Sequence, residues 1–472
     1  MKRIYSGSVA LIFLFSLSFI IPLQDRSSQV LAQVRPTKKQ VEQARKFANE
    51  GDRFFRQGKY RDAIIRYEQA SALVPNYPYV SYFKGYAHLN LKEYDQALED
   101  LTAALNKGYT PIEIYKVRWY LYYVKKDYDS ALRDAEEVIK QQPQNSNVLM
   151  ALGDIYRERN MDREAIGYYE KAAVLLPNNA DLYYFIALSH TKLGDYIQQG
   201  VNALKAIQKG TQYLANSWYL VGTSFQIGKK YNESAEAYEK AISAKPDLAE
   251  AYSNLSQVYQ ILNRYDAAIN TLKKGVQVIP NDGNLYISLA WVYSLSDRHI
   301  EAIGAGKKAV SLAPNNYMGH TNLCRAYMDV KEYETAIEIC NTALKLNPGD
   351  GETNFYLARI HDFLRKPDIA NNYYKKAVPG LVEFTKNNPD YSDGFYLLGN
   401  AYFGVNQIPN AILAYRRSLE LNPSFTKAMY NLGYMYVLNK DRASAREQYN
   451  LLSKLDTTLA ARLLQDIQAM KN

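Results

Sequence analysis

The sequence predicts an all-α chain, a superhelical α-solenoid of about twelve helix pairs closed by a C-terminal capping helix. Three observations carry this expectation. Prolines recur at a fixed interval: Pro143 and Pro177 lie 34 residues apart, and Pro246, Pro280, Pro314 and Pro348 follow one another at the same spacing. Small residues recur at a fixed place inside that interval, and flat rings recur at another. Each proline follows an apolar helical pattern, as in AISAKPD and ALKLNPG. There it ends a helix, because it cannot continue the hydrogen-bond ladder.

Along the chain, the N-terminus comes first. Lys2 and Arg3 precede the apolar run VALIFLFSLSFII, which Pro22 closes. That run is shorter than the ~20 residues a bilayer span needs. A basic start, a short apolar stretch and the small-residue site Val30-Leu31-Ala32 match a secretory leader cut before Gln33. Residues 1–32 are therefore expected to be a signal peptide, with an uncleaved membrane anchor as the alternative. Residues 33–43 form a short lead-in. The formal charge is +9, about +7 without the leader, with no block of Lys or Arg. That balance is no nucleic-acid signature.

The repeat occupies 44–459. Its units start at Ala44, Pro78, Ile112, Ser146, Ala180, Ala215, Ala249, Gly283, Tyr317, Gly351, Ser392 and Thr426. One extra residue falls in the fifth unit and seven in the tenth. Position 8 is usually small, as in Gly51, Gly85, Gly153, Gly222, Gly399 and Gly433, and position 20 is nearly always Ala, as in Ala63, Ala97, Ala268 and Ala445. Small residues at these places let two helix backbones approach, and a pair that cannot bury both faces alone stacks on its neighbours. Residues 460–472 read as the end of the final amphipathic helix.

These residues carry a resemblance. The fourth unit has Leu149, Leu152-Gly153, Tyr156, Ala165, Tyr169 and Pro177; the sixth has Trp218, Val221-Gly222, Phe225, Ser234, Tyr238 and Pro246; the twelfth has Met429, Leu432-Gly433, Tyr436, Ala445 and Tyr449. The pattern resembles the tetratricopeptide repeat (TPR) signature, a Trp-type residue, Leu-Gly, an aromatic, then Ala, an aromatic and Pro. The resemblance covers nearly all of the chain after the leader. It implies a right-handed superhelix whose concave groove, lined by first helices, receives partner segments.

Three units depart from the pattern. Trp119 stands at the small position of the third, so that pair is expected to splay or shift. The extra residue of the fifth places Gly200 at the small position. In the tenth, KKAVPGLVEFTKNNP carries Pro379-Gly380, which predicts a kink or an extended helix.

Catalytic chemistry is not expected, nor is a metal or a cofactor. His88, His190 and His361 occupy position 11, where every other unit has an aromatic, so a flat ring for packing accounts for them. His299 and His320 lack ligand spacing, and no HExxH, CxxC, GxSxG or P-loop pattern occurs. Too little chain lies outside the repeats for a catalytic domain.

Tyrosine occurs 43 times. Those at positions 4, 11, 17 and 24 fit helix packing. Others fall at positions 2, 5, 9 and 12 of first helices, which the resemblance places in the groove. The residues expected to bind a partner are Tyr79, Tyr82, Tyr86, Tyr120, Tyr219, Trp291, Tyr396, Tyr430 and Tyr434, with Arg325 and Arg359 at position 9 of consecutive units. The alternative is that the superhelix itself, or a dimer, covers some of these rings. The arginines suit an acidic peptide or a pair with Asp329 and Asp362. The Lys/Asn clamp by which some TPR proteins hold acidic C-termini is absent, since Lys116 stands alone beside Tyr120.

Cys324 and Cys340 sit at positions 8 and 24 of the ninth unit. They face each other across the pair, so a bridge in an oxidising compartment is open. Against it, position 24 is expected to direct its side chain elsewhere. The function these readings support is an exported, periplasmic scaffold that binds protein partners. A glycan-associated scaffold in envelope polysaccharide assembly is the alternative.

Overall fold

The computed structural model describes residues 35–470; the expected signal peptide, residues 1–32, lies outside them. The described chain is all-α, with 25 helices from Lys38–Arg56 to Thr457–Gln468. Within the compact units they stack as hairpin pairs, from Lys38–Arg56 with Tyr60–Leu73 to Thr426–Leu438 with Arg442–Leu452, and the last is followed by the capping helix Thr457–Gln468. First helices begin at Pro78, Ser146, Ala180, Ala249, Gly283, Tyr317, Gly351, Ser392 and Thr426, where the period places them. The chain divides into two compact units, one ending at Leu121 and the other starting at Tyr122. The division falls inside helix Pro111–Val124 of the third pair, two residues after Trp119.

The backbone itself carries the period. Each pair turns through one residue with positive φ: Gly58, Lys92, Lys126, Asn160, Gly194, Lys229 and onward to Asn406 and Lys440. Just after it, a backbone N–H returns to the carbonyl of position 11, as in Glu93 to His88 at 2.9 Å, Met161 to Tyr156 at 2.9 Å and Asp441 to Tyr436 at 2.9 Å. This is the Schellman closure, which satisfies the last free carbonyls of the first helix. The ring at position 11 thus sits on the residue that closes the hairpin.

Helix contact inside a pair centres on positions 8 and 24. A Cβ built on Gly51, Gly153, Gly222 or Gly399 would lie 2.5 to 2.7 Å from the ring of Tyr67, Tyr169, Tyr238 or Tyr415. Those four rings are fully buried. Their hydroxyls reach the polar side of the first helix: Tyr67 donates to Asp52 at 2.8 Å, Tyr169 to Asp154 at 2.6 Å and Tyr415 to Asn400 at 2.7 Å.

The ninth pair fills the same site differently. Cys324 and Cys340 form a disulfide with their Cα atoms 5.3 Å apart. The expectation that position 24 points elsewhere is corrected here. Side chains at position 24 lie on position 8 in the first, fourth, sixth and eleventh pairs, so two cysteines at these positions meet.

The two insertions are absorbed within helices. Gly200 is buried, and a Cβ on it would lie 2.2 Å from Ser224 Oγ. In the tenth unit the second helix runs unbroken over Pro367–Asn387, with Pro379 inside it. Gly380 passes Gly351 backbone to backbone: a Cβ on Gly380 would meet Gly349 O and Gly351 N at 2.6 Å. The extension carries Phe384, whose ring packs edge-on to Tyr391 at 6.1 Å.

Gly380→Ala should lower the unfolding free energy by about 3 kcal/mol, because backbone must move to admit the methyl. Gly304→Ala, with nothing within 4 Å of its Cβ, should raise it by about 0.5–1 kcal/mol; denaturant titration separates the two. Without reductant no thiol should be alkylated in the unfolded chain, and reduction should cost about 3 kcal/mol for a loop of this length.

Candidate partner-binding face

In the compact unit ending at Leu121, Tyr79, Tyr82 and Tyr86 lie along helix Pro78–Asn90. Tyr79 donates to Asp52 at 2.8 Å and packs on Phe83 at 4.5 Å. Tyr82 is only 9% exposed because Tyr109 stacks on it, centroids 4.4 Å apart and planes within 13°. Tyr86 is half-buried beside Phe55. Tyr120 is 42% exposed and stands edge-on to Trp119.

The stacking on Tyr82 recurs. Tyr213 stacks on Tyr184 at 4.4 Å, and Phe425 packs on Tyr396 at 4.8 Å. Each covered ring is at position 5, and each covering ring comes from the loop before the next unit. Many such loops place an Asn or Asp beside the helix start as a cap, as Asn145, Asn179, Asp282, Asn316 and Asp350 do. An aromatic in that loop is the sequence signal that was missed. Tyr82 and Tyr396 are therefore packed by their own chain.

His88, also on this helix, is 9% exposed. Its Nδ1 lies 2.7 Å from Glu93 and its Nε2 3.6 Å from Asp100, while Lys84 contacts Asp100 at 2.9 Å. The hydrogen bond from His88 holds the Glu93 carboxyl below its usual range, and Arg61 pairs with the same group. The ring is thus both a hairpin core and an anchor between carboxylates. His361 stacks flat on Tyr373 at 5.6 Å. Among the described residues no group of three or more His, Cys, Asp or Glu is placed to hold a metal ion.

The compact unit starting at Tyr122 holds the remaining expected residues. Tyr219 is half-buried and accepts from Asn254 at 3.1 Å. Trp291, Arg325, Arg359, Tyr396 and Tyr434 come together around one cavity of about 710 Å³. Tyr430 lies parallel to Tyr434 at 6.4 Å, but the capping helix covers it: its hydroxyl donates to Asp466 at 3.1 Å and Arg462 lies over its ring at 5.3 Å. Tyr434 is half-buried, and Phe403, 40% exposed, stands edge-on to it at 6.1 Å.

Trp291 and Arg325 do not face an open groove. Trp291 donates its indole N–H to Tyr391 at 2.5 Å, and Tyr391 donates in turn to Gln260 at 3.3 Å. Asn422 donates to Asn263 at 2.8 Å, and Lys427 pairs with Asp297 at 3.2 Å. The loop before Ser392 thus rests on first helices of the seventh and eighth pairs, and residues 422–427 rest on the hairpin turns of the same pairs. Arg325 lies over Trp291 at 4.8 Å and over Tyr356 at 5.9 Å, with Asp329 at 3.8 Å. Burial opposes its charge, but Tyr356, Asp329, Asp393 and Glu352 outweigh that and hold it above the usual guanidinium range. Arg359 instead stands over Phe363 at 4.9 Å. Glu352, Tyr391 and Asp393, which sequence reasoning missed, belong to this region.

Tetratricopeptide-repeat models match residues 49–109, 228–291 and 320–350, and a TPR repeat model matches 399–440. The model of the Psidin N-terminal TPR repeats region matches 85–250. A TPR repeat-containing protein of Methanocaldococcus jannaschii is 26% identical over 154 residues, 32% of this chain and 27% of that protein, so the match spans about a quarter of the relative's length. Among solved structures, a chain of the APC/C hetero-tetramer Cut9–Hcn1 aligns over 90% of this chain and 97% of its own at 15% identity and TM-score 0.44. Yeast Tom70 aligns over 90% and 94% at 17% identity and TM-score 0.39, and MamA over 35% and 91% at 28% and 0.34. With the period, the glycine–tyrosine contact and the matched models in agreement, the chain carries tetratricopeptide repeats.

Proposed function

We propose that the chain is a non-enzymatic scaffold that holds a segment of a protein partner against its first-helix face, between Phe403, Tyr434 and Arg359. The observation that carries this reading is the 710 Å³ cavity, whose rim keeps large rings accessible while Trp291 and Tyr396 are packed by the chain itself. Exposed aromatics beside a concavity are the usual energetic anchors of an interface. Arg359 offers a cation to an acidic group of the partner, whereas Arg325 is engaged internally. The aromatic rings beside Asn263, Asn400, Asn422 and Asn431 in the same cavity favour a glycan as second reading.

The reading includes export to an oxidising compartment, the periplasm for a bacterial chain. The leader-like residues 1–32 and the Cys324–Cys340 disulfide support it. Among the described residues no helix is long and apolar enough to cross a membrane.

Capture on the immobilised chain from native envelope extract, read by mass spectrometry, tests the face. Phe403→Ala with Tyr434→Ala should reduce the captured protein by about thirtyfold, the loss of one interface anchor, with helicity unchanged. Equal recovery removes the assignment, and recovery of polysaccharide alone turns it to the glycan reading. N-terminal sequencing of the exported protein should begin at Gln33.

A further inference from the structure

Next to Trp291 lies a second cavity of about 310 Å³. Trp291, Tyr317, Phe384 and Tyr391 give it aromatic walls, and Asp350 and Glu352 give it two carboxylates; no Lys or Arg lines it. The two carboxylates are not equivalent. Asp350 is committed to its own helix cap, accepting from Thr353 N at 2.8 Å and Thr353 Oγ1 at 2.5 Å. Glu352 is not: its Oε1 is shielded from solvent and has no hydrogen-bond partner. The cation of this region, Arg325, lies over Trp291 and beside Asp329, and no ion pair to Glu352 occurs among the described residues.

A buried carboxylate either keeps its proton or gains a counter-ion. Here a carboxylate with one unpartnered oxygen lines a chamber walled by electron-rich rings, the surroundings that favour an organic cation. The volume suits a side chain of lysine size. We propose that this cavity binds a primary alkylammonium group, from a free amine or from a lysine side chain, with Glu352 as its counter-ion and the rings of Trp291 and Tyr391 against its methylenes. This goes beyond the scaffold reading, because it concerns the closed side of Trp291 and a defined chemical group.

The binding carries a pH signature. Burial pushes the Glu352 carboxyl up to about 8, Asp350 and Asp393 add to this, and Arg325 opposes it. Burial also raises Asp393, to about 6, against Arg325 and Lys427. Asp329 is raised by burial and Tyr391 stays protonated. At pH 7 the free protein therefore keeps a proton on Glu352, and an arriving ammonium displaces it.

Calorimetry on the full chain tests this with n-butylammonium, Nα-acetyl-lysine methylamide and n-butanol at pH 6 and 8.5, and at pH 7 in two buffers of different ionisation enthalpy. Butylammonium should bind at least about tenfold more tightly at pH 8.5 than at pH 6 and release a proton at pH 7. Butanol should not bind. Glu352→Gln should weaken butylammonium about tenfold or more without lowering the melting temperature at pH 8.5. Binding of the blocked lysine as well names a side chain as the source; binding of butylammonium alone names a free amine. No binding at millimolar concentration, binding without proton release, or equal binding of butanol overturns the proposal. The buffer-dependent heat is read on the unaltered chain, so it decides the matter even should Glu352→Gln fail to fold.

Discussion

In the first, fourth, sixth and eleventh repeats the two helices close on each other where the first gives up its side chain. At Gly51, Gly153, Gly222 and Gly399 the space left by a missing Cβ is filled by a tyrosine ring from the second helix. A fully buried tyrosine leaves a hydroxyl to satisfy, since an unpaired polar group in a dry interior costs about 1–3 kcal/mol. Position 24 solves this by length: the ring crosses the pair and its oxygen reaches Asp52, Asp154 or Asn400 on the far side. Packing and polar satisfaction are thereby fixed by one residue pair. The spacing of successive pairs, the stacking of neighbours and the aim of the first-helix face all follow from that contact. The Cys324–Cys340 bridge replaces it covalently at the same place.

The period, the element type and the helix starts were legible because they depend on local spacing. Proline stops, glycine at position 8 and rings at position 11 are each visible within 34 residues. The role of position 11 was only half legible: packing was read correctly, but its carbonyl as acceptor of the hairpin-closing hydrogen bond is a backbone property that no side chain announces. The site was less legible, for a different reason. Whether Trp291 is open or covered depends on Tyr391, a hundred residues away, and periodicity says nothing about which loop comes to lie over which helix. Tyr82 was misjudged on a shorter scale, since Tyr109 in the next loop decides its exposure. Phe403 and Tyr434, with no aromatic loop residue stacked on them, line the 710 Å³ cavity.

The irregular unit is where the array becomes specific. Seven additional residues extend one helix to Asn387 and bring Phe384 against Tyr391. Both rings line the chamber beside Trp291 and Glu352. Gly351 and Gly380 allow the longer helix to pass at backbone distance. A regular repeat supplies the frame, and its one long departure supplies a chamber with its own electrostatics.

The long-range ties also bear on how the molecule reaches its native state. An array stabilised by nearest neighbours alone can nucleate anywhere and zip outward. Here Lys229 pairs with Asp390, 161 residues on, and Trp291 binds Tyr391 across 100. Closing spans of that length carries a chain-entropy cost that grows with separation, so these ties form after the intervening pairs are in place. The last step of folding in the larger unit is then the docking of two loops onto helices completed earlier. The same step, reversed, is the cheapest way for the chamber behind Trp291 to open.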